Sequence, residues 1–175
     1  LCFVFCILFL IGFSKLPLEK VIFILCCFAL YLATLSACFE ISIAKVFLGF
    51  SVRFLSILIG MQPVPVDCDR RTLNTMAHNL KQRLNEADLQ AFFITNALGF
   101  AGDLSNIRDI CNENHIIMIE DNCEALGTEL PADKTGNFGI MSSFSLFVAH
   151  HMSTIEGGII CTNDEEIEEM LRIVR

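Results

Sequence analysis

The sequence predicts an α/β fold over residues 59–175, a largely parallel sheet flanked by helices. Three observations carry that expectation. From Pro63 onward, short apolar runs alternate with amphipathic, capped segments. The run at 116–119 is wholly apolar, as in a strand buried on both faces of a parallel sheet. Gly99, Gly102, Gly127, Gly136 and Gly139 fall between the runs, where connections need turns.

Each element follows from its own residues. Residues 63–67, Pro-Val-Pro-Val-Asp, read as a short strand ending in an acidic turn. Leu73, Met76, Leu80 and Leu84 then recur at helical spacing. Residues 91–95 form the next strand, and Gly99 and Gly102 punctuate the loop after it. Asp103 is placed to cap a helix running to about Asn114, with Leu104, Ile107 and Cys111 as its inner stripe. The strand at 116–119 delivers Glu120 and Asp121 at its carboxyl end, where open α/β sheets place their ligand sites. A loop with Pro131, Gly136 and Gly139 leads to a strand at 142–147, and Gly157-Gly158 opens another at 159–162. The last segment is a helix with Asn163 as N-cap and Glu166 completing a capping box. Its early acids Asp164, Glu165 and Glu166 complement the positive end of the helix dipole. The apolar face of Ile167, Met170, Leu171 and Val174 still runs at Arg175, so the fold is expected to continue past the end of this sequence.

Residues 1–58 have a different composition. Up to Gly60 the charged residues are Lys15, Glu19, Lys20, Glu40, Lys45 and Arg53, a net of +2 against −8 for the chain. The run 21–39 is free of charge, and as a helix it would span roughly 28 Å, near the ~30 Å of a bilayer core. Three readings of 1–58 stand side by side: a membrane anchor, a buried part of a soluble domain, and a stretch whose frame or start is wrong. A net charge of −8 argues against a nucleic-acid partner. The nine cysteines show no ligand spacing for a metal and no disulfide framework. Cys68, Cys111, Cys123 and Cys161 sit singly among apolar residues and read as buried free thiols, which suits a reducing compartment. His78 and His115, in polar surroundings beside helices, read as solvated.

Three stretches carry the chemistry. They are 120–127 (Glu-Asp-Asn-Cys-Glu-Ala-Leu-Gly), 143–145 (Ser-Phe-Ser) and 150–158 (His-His-Met-Ser-Thr-Ile-Glu-Gly-Gly). With Gly60-Met61-Gln62-Pro63-Val64 and residues 98–104, this order resembles the DegT/DnrJ/EryC1/StrS sugar aminotransferase family. Those are fold-type I enzymes that use pyridoxal 5'-phosphate on nucleotide-linked keto-sugars. The resemblance covers about residues 59–175 and implies part of a fold-type I large domain.

The resemblance also implies roles. Asp121 matches the carboxylate that faces the cofactor's pyridine nitrogen, and Glu124 a position beside its 3'-oxygen where Gln is usual. Ser145 matches a hydroxyl that binds the cofactor phosphate. His150 departs from the aminotransferases, which keep there the lysine that holds the cofactor covalently. His followed by Met-Ser-Thr-Ile-Glu-Gly-Gly is similar to the 3-dehydratase branch acting on nucleotide-4-keto-6-deoxyhexoses. In that branch the cofactor works as pyridoxamine 5'-phosphate and the histidine is the base, since an imidazole exchanges protons at neutral pH. Implied partners are a nucleotide-linked keto-sugar, glutamate as a possible amino donor, and a second copy in a homodimer. The implied place is the cytoplasm, with a membrane only if 21–39 is an anchor, and the implied pathway makes surface polysaccharide. Two other functions remain open: an ordinary sugar aminotransferase, and an inactive membrane-anchored remnant. The latter is motivated by residues 1–58, which contain no Gly-Ser-rich loop to hold the cofactor phosphate.

Overall fold

Two apolar runs form the centre of the sheet because neither has a side that tolerates water. They are β3 (Ala91–Thr95) and β4 (Ile117–Asp121). The computed structural model describes residues 6–10, 57, 61–148 and 150–174. Among these, β1 (Cys6–Leu10), β2 (Gln62–Val66), β5 (Met141–Ser145) and β6 (Gly158–Thr162) complete a six-stranded sheet of order β2-β1-β3-β4-β5-β6. Strands β3, β4 and β5 are parallel, whereas β1 is antiparallel to both neighbours and β6 to β5. Helices α1 (Ala77–Leu84), α2 (Leu104–Glu113) and α3 (Glu165–Val174) accompany the sheet, giving the α/β class expected. The run 21–39 lies outside the described residues, and among those described no helix is long and apolar enough to cross a membrane.

Helices α1 and α2 pack on one face of the parallel strands. Leu80 of α1 and Leu104, Ile107, Ile110 and Cys111 of α2 form a single core with Phe92, Ile94 and Met118. Burial of a side chain the size of Phe92, which is 0% exposed, contributes about 1.5–3 kcal/mol. Gly102 lets α2 approach α1. A Cβ there would lie 2.3 Å from the Thr75 carbonyl oxygen, so no larger residue fits.

Four local expectations are corrected. Leu73 is not helical: it has φ 58 in a turn in which the Asp69 carboxylate accepts the amide protons of Arg71 and Thr72. Helix α1 starts only at Ala77, where Asn79 Oδ1 accepts the Met76 N–H. Asp103 sits at the start of α2 but does not cap it. Its Oδ1 accepts the Ala77 N–H at 2.7 Å, so the acid caps α1 across the interface. In α3 the cap is Asp164, whose Oδ1 accepts the Ile167 N–H, one residue later than the proposed box at Asn163. Cys161 is exposed and Cys68 half-exposed, whereas Cys111 and Cys123 are buried; the antiparallel β6 is an edge of the sheet, which leaves Cys161 uncovered. His78 and His115 are exposed, as their sequence context implies.

Candidate active site

Strand alternation puts Glu120 and Asp121 on opposite faces of β4. Register then decides their company. Asp121 aligns with Thr95 on β3 and Ser143 on β5, while Glu120 aligns with Ile94 and Ser142 on the helix-covered side.

Asp121 is buried at the carboxyl end of β4 and still finds donors. Its Oδ1 accepts the Cys123 N–H at 3.1 Å and the Ser143 hydroxyl at 3.3 Å, its Oδ2 accepts a long 3.4 Å bond from the Thr95 hydroxyl, and the Cys123 thiol donates to the same carboxylate. Burial pushes its carboxyl above the usual range, the Cys123 and Ser143 hydrogen bonds pull it back, and Glu124 adds a further upward push. A buried acid held largely by side-chain donors that can turn away is suited to face a cation or a protonated ring nitrogen, and the donor set therefore fits a pyridinium partner.

His150 lies on the loop between β5 and β6. That loop is closed on itself: Leu146 N–H donates to the Gly157 carbonyl, Thr154 N–H to the Leu146 carbonyl, and His150 N–H to the Phe147 carbonyl. Its imidazole is half-buried, packed edge-on to Phe147 at 6.4 Å, with Nδ1 2.5 Å from the Cys123 carbonyl oxygen. A carbonyl only accepts, so Nδ1 carries the proton and Nε2 of the neutral ring is the basic nitrogen. Cys123 thus joins the two candidate groups through its backbone, its N–H on Asp121 and its C=O on His150. Its own thiol is pushed well above the usual range by burial and by the neighbouring Asp121, so it is no nucleophile.

Glu124 Oε2 accepts the Leu98 N–H at 2.7 Å, which ties the turn after Asp121 to the Ala97–Gly99 turn that follows β3. Ser145 lies buried on the same face of β5 as Ser143, and its Oγ accepts the Phe147 N–H at 3.2 Å. His151 is exposed. Sequence reasoning missed Thr95 and Ser143 as donors to Asp121, the Cys123 backbone as a bridge, and the four-donor environment of Glu120 described below. Thr95 and Ser143 were recoverable only with strand register. No cluster of three metal-ligating side chains occurs among the described residues.

The chain is similar to several known proteins. The chain is 38% identical over 127 residues to GDP-4-keto-6-deoxy-D-mannose 3-dehydratase of Yersinia pseudotuberculosis, covering 73% of this chain and 29% of that protein. It is 32% identical over 115 residues to GDP-perosamine synthase of Vibrio cholerae, covering 65% of this chain and 31% of the relative. The solved structure of the E. coli GDP-4-keto-6-deoxy-D-mannose-3-dehydratase with bound hydrated PLP superimposes with a TM-score of 0.57 at 39% identity, over 61% of this chain and 27% of that one. The chain therefore spans under a third of the length of these relatives. Residues 50–175 match the model of one family throughout, and the chain belongs to that family, the DegT/DnrJ/EryC1/StrS aminotransferases.

Proposed function

We propose that the protein, as part of a complete large domain, is a vitamin B6-dependent enzyme of nucleotide-sugar biosynthesis. In this reading it removes the C3 hydroxyl of a nucleotide-linked 4-keto-6-deoxyhexose as water, and hydrolysis then frees the 3-deoxy sugar. The observation that carries it is the pairing of a buried acid with a histidine whose tautomer is fixed by the carbonyl two residues further on. Bound at this site, pyridoxamine 5'-phosphate would supply an amine for the sugar ketone and an electron-withdrawing ring.

The chain's own groups supply the rest. Asp121 holds the proton on the ring nitrogen, because an anion in a buried site stabilises a neighbouring cation far more than water would. Ser145 offers a hydroxyl to a phosphate oxygen without adding charge, and Glu124 orients the turn beside the ring. His150 takes up a proton at Nε2 while Nδ1–H stays on the Cys123 carbonyl, so the ring does not swing as its charge changes. Lacking a primary amine, this side chain neither traps the cofactor nor returns a proton as a lysine does, which favours loss of hydroxyl over amination. Glutamate as amino donor and a homodimeric holoenzyme complete the proposal.

Similarity to a perosamine synthase supports amination as a second reading, and the residue at 150 separates the two. The full chain is titrated with pyridoxal 5'-phosphate, and His150→Lys is treated with borohydride. The proposal expects reversible binding in the parent and covalent retention of the chromophore in His150→Lys alone. With GDP-4-keto-6-deoxy-D-mannose and glutamate the parent should release a 3-deoxy sugar; an amino sugar from the parent would support the second reading. Absence of cofactor binding in both proteins would overturn both.

A further inference from the structure

Glu120 is 0% exposed, and both of its oxygens are fully used. Oε1 accepts the N–H groups of Phe138 and Gly139, each at 2.8 Å, and Oε2 accepts the Gly136 N–H at 2.8 Å and a long 3.4 Å bond from Asn96 Nδ2. Three of these donors belong to the loop entering β5, and the fourth follows the last residue of β3. On the opposite face of β4, Asp121 takes both of its hydroxyl donors from the same two neighbours, Thr95 at the end of β3 and Ser143 on β5. Gly136 allows the loop to close in: at φ +101, a Cβ there would lie 2.9 Å from Phe144 and 3.1 Å from Ser142 Oγ. Asn96 extends the link, since its Nδ2 also donates to Asn122 Oδ1 at 2.7 Å and its backbone N–H to the Asp121 carbonyl at 2.9 Å.

We infer that Glu120 is a positioning residue for Asp121: by fastening the entry loop of β5 and the end of β3 to the underside of β4, it fixes the height at which Thr95, Ser143 and Cys123 meet the Asp121 carboxylate. A carboxylate is needed because all four partners are donors. Gln, of the same size, turns an N–H₂ toward either the Phe138/Gly139 pair or the Gly136/Asn96 pair, leaving two N–H groups facing a third donor. The strand ends then separate on the far face as well.

The test compares Glu120→Gln with Leu104→Ala, a core variant that lowers stability away from this network. Two signals are read on the full chain: the ¹H shift of the Cys123 amide, which reports its bond to Asp121, and the dissociation constant for pyridoxal 5'-phosphate. Glu120→Gln should move the Cys123 amide upfield and weaken cofactor binding by about tenfold or more, the scale on which supporting-shell partners act. Leu104→Ala should leave the amide in place and the affinity within about threefold, as for sites that do not couple. A Cys123 amide unchanged in Glu120→Gln, or moved equally in both variants, overturns the inference. Should Glu120→Gln fail to fold, Asn96→Ala leaves Glu120 its three backbone donors and must shift the same amide in the same direction. The affinity arm rests on the cofactor reading above and the amide arm does not. An amide shifted in Glu120→Gln, with a parent that binds no cofactor, therefore refutes the function and keeps the positioning role.

Discussion

Asp121→Asn should make the protein more stable and its site worse. The carboxylate is buried, and burial pushes its pKa above the 3.8 of an exposed aspartate despite the hydrogen bonds from Cys123 and Ser143. An acid whose folded pKa is raised favours the fold when protonated. Its penalty is absent below pH 3.8, grows as pH rises toward the folded value, and is complete above it. Asn carries no charge at any pH. Its carbonyl can occupy the Oδ1 position and keep both the 3.1 Å Cys123 and 3.3 Å Ser143 bonds, and the Thr95 hydroxyl can rotate to accept from the new amide. One of the two new N–H groups is thereby paired and the buried charge is gone, so at pH 7 the variant should unfold at higher urea than the parent, and the gap should close as pH falls toward 3.8. Cofactor affinity should fall, because a charge-assisted bond to the ring nitrogen is worth about 1.5–3 kcal/mol, roughly 10- to 150-fold in dissociation constant. Urea unfolding of the cofactor-free chain at several pH values and an absorbance titration with pyridoxal 5'-phosphate measure the two halves. A variant destabilised at pH 7 with undiminished affinity would refute the reasoning, since it would make Asp121 a structural acid.

His150→Asn should keep the donor to the Cys123 carbonyl and lose only the basic nitrogen; cofactor affinity is expected to stay within a few-fold while turnover falls about 10²- to 10⁴-fold, measured by product release. Gly102→Ala should cost about 1–3 kcal/mol or more in urea unfolding, because the added methyl meets a backbone carbonyl that cannot turn aside. Asp164→Ala should cost about 1 kcal/mol and Asn163→Ala far less, a comparison that checks which residue caps α3. Thiol labelling at pH 8, resolved by peptide mass spectrometry, should modify exposed Cys161 first among Cys68, Cys111, Cys123 and Cys161. It should spare Cys111, which burial holds at about 12, and Cys123, so early labelling of either would contradict their environments.

The parallel core was legible because burial on both faces leaves a direct mark on composition. Strands β3 and β4 could be read from apolar runs with an error of a residue or two. The caps were not, for a physical reason. Asp103 has the sequence position of a cap, but its carboxylate is nearer the open amides of α1 than those of its own helix, and only tertiary packing could reveal that. Leu73 kept helical spacing with Leu80 while lying in a left-handed turn, because periodicity records which residues face the core and not the backbone that brings them there. In the candidate site, Asp121 and His150 are proposed from their neighbours in sequence. The partners that define them were not: Thr95, Ser143 and the Cys123 carbonyl depend on register and on how a loop closes.

Glu120 and Asp121 show why two adjacent acids can have unlike fates. Both are buried, and both sit between the same two strands. Glu120 reaches three backbone amides at 2.8 Å, donors that cannot leave without unmaking the loop, so its charge is spent on holding the fold. Asp121 meets one backbone amide and two hydroxyls at 3.1–3.4 Å together with the Cys123 thiol, and hydroxyls and thiols can turn away. Its charge is under-satisfied, which burial makes costly and which a bound cation would relieve. The acid that could be exchanged for an amide without loss of stability is thus the one available to a ligand, while the acid that cannot be exchanged keeps it there.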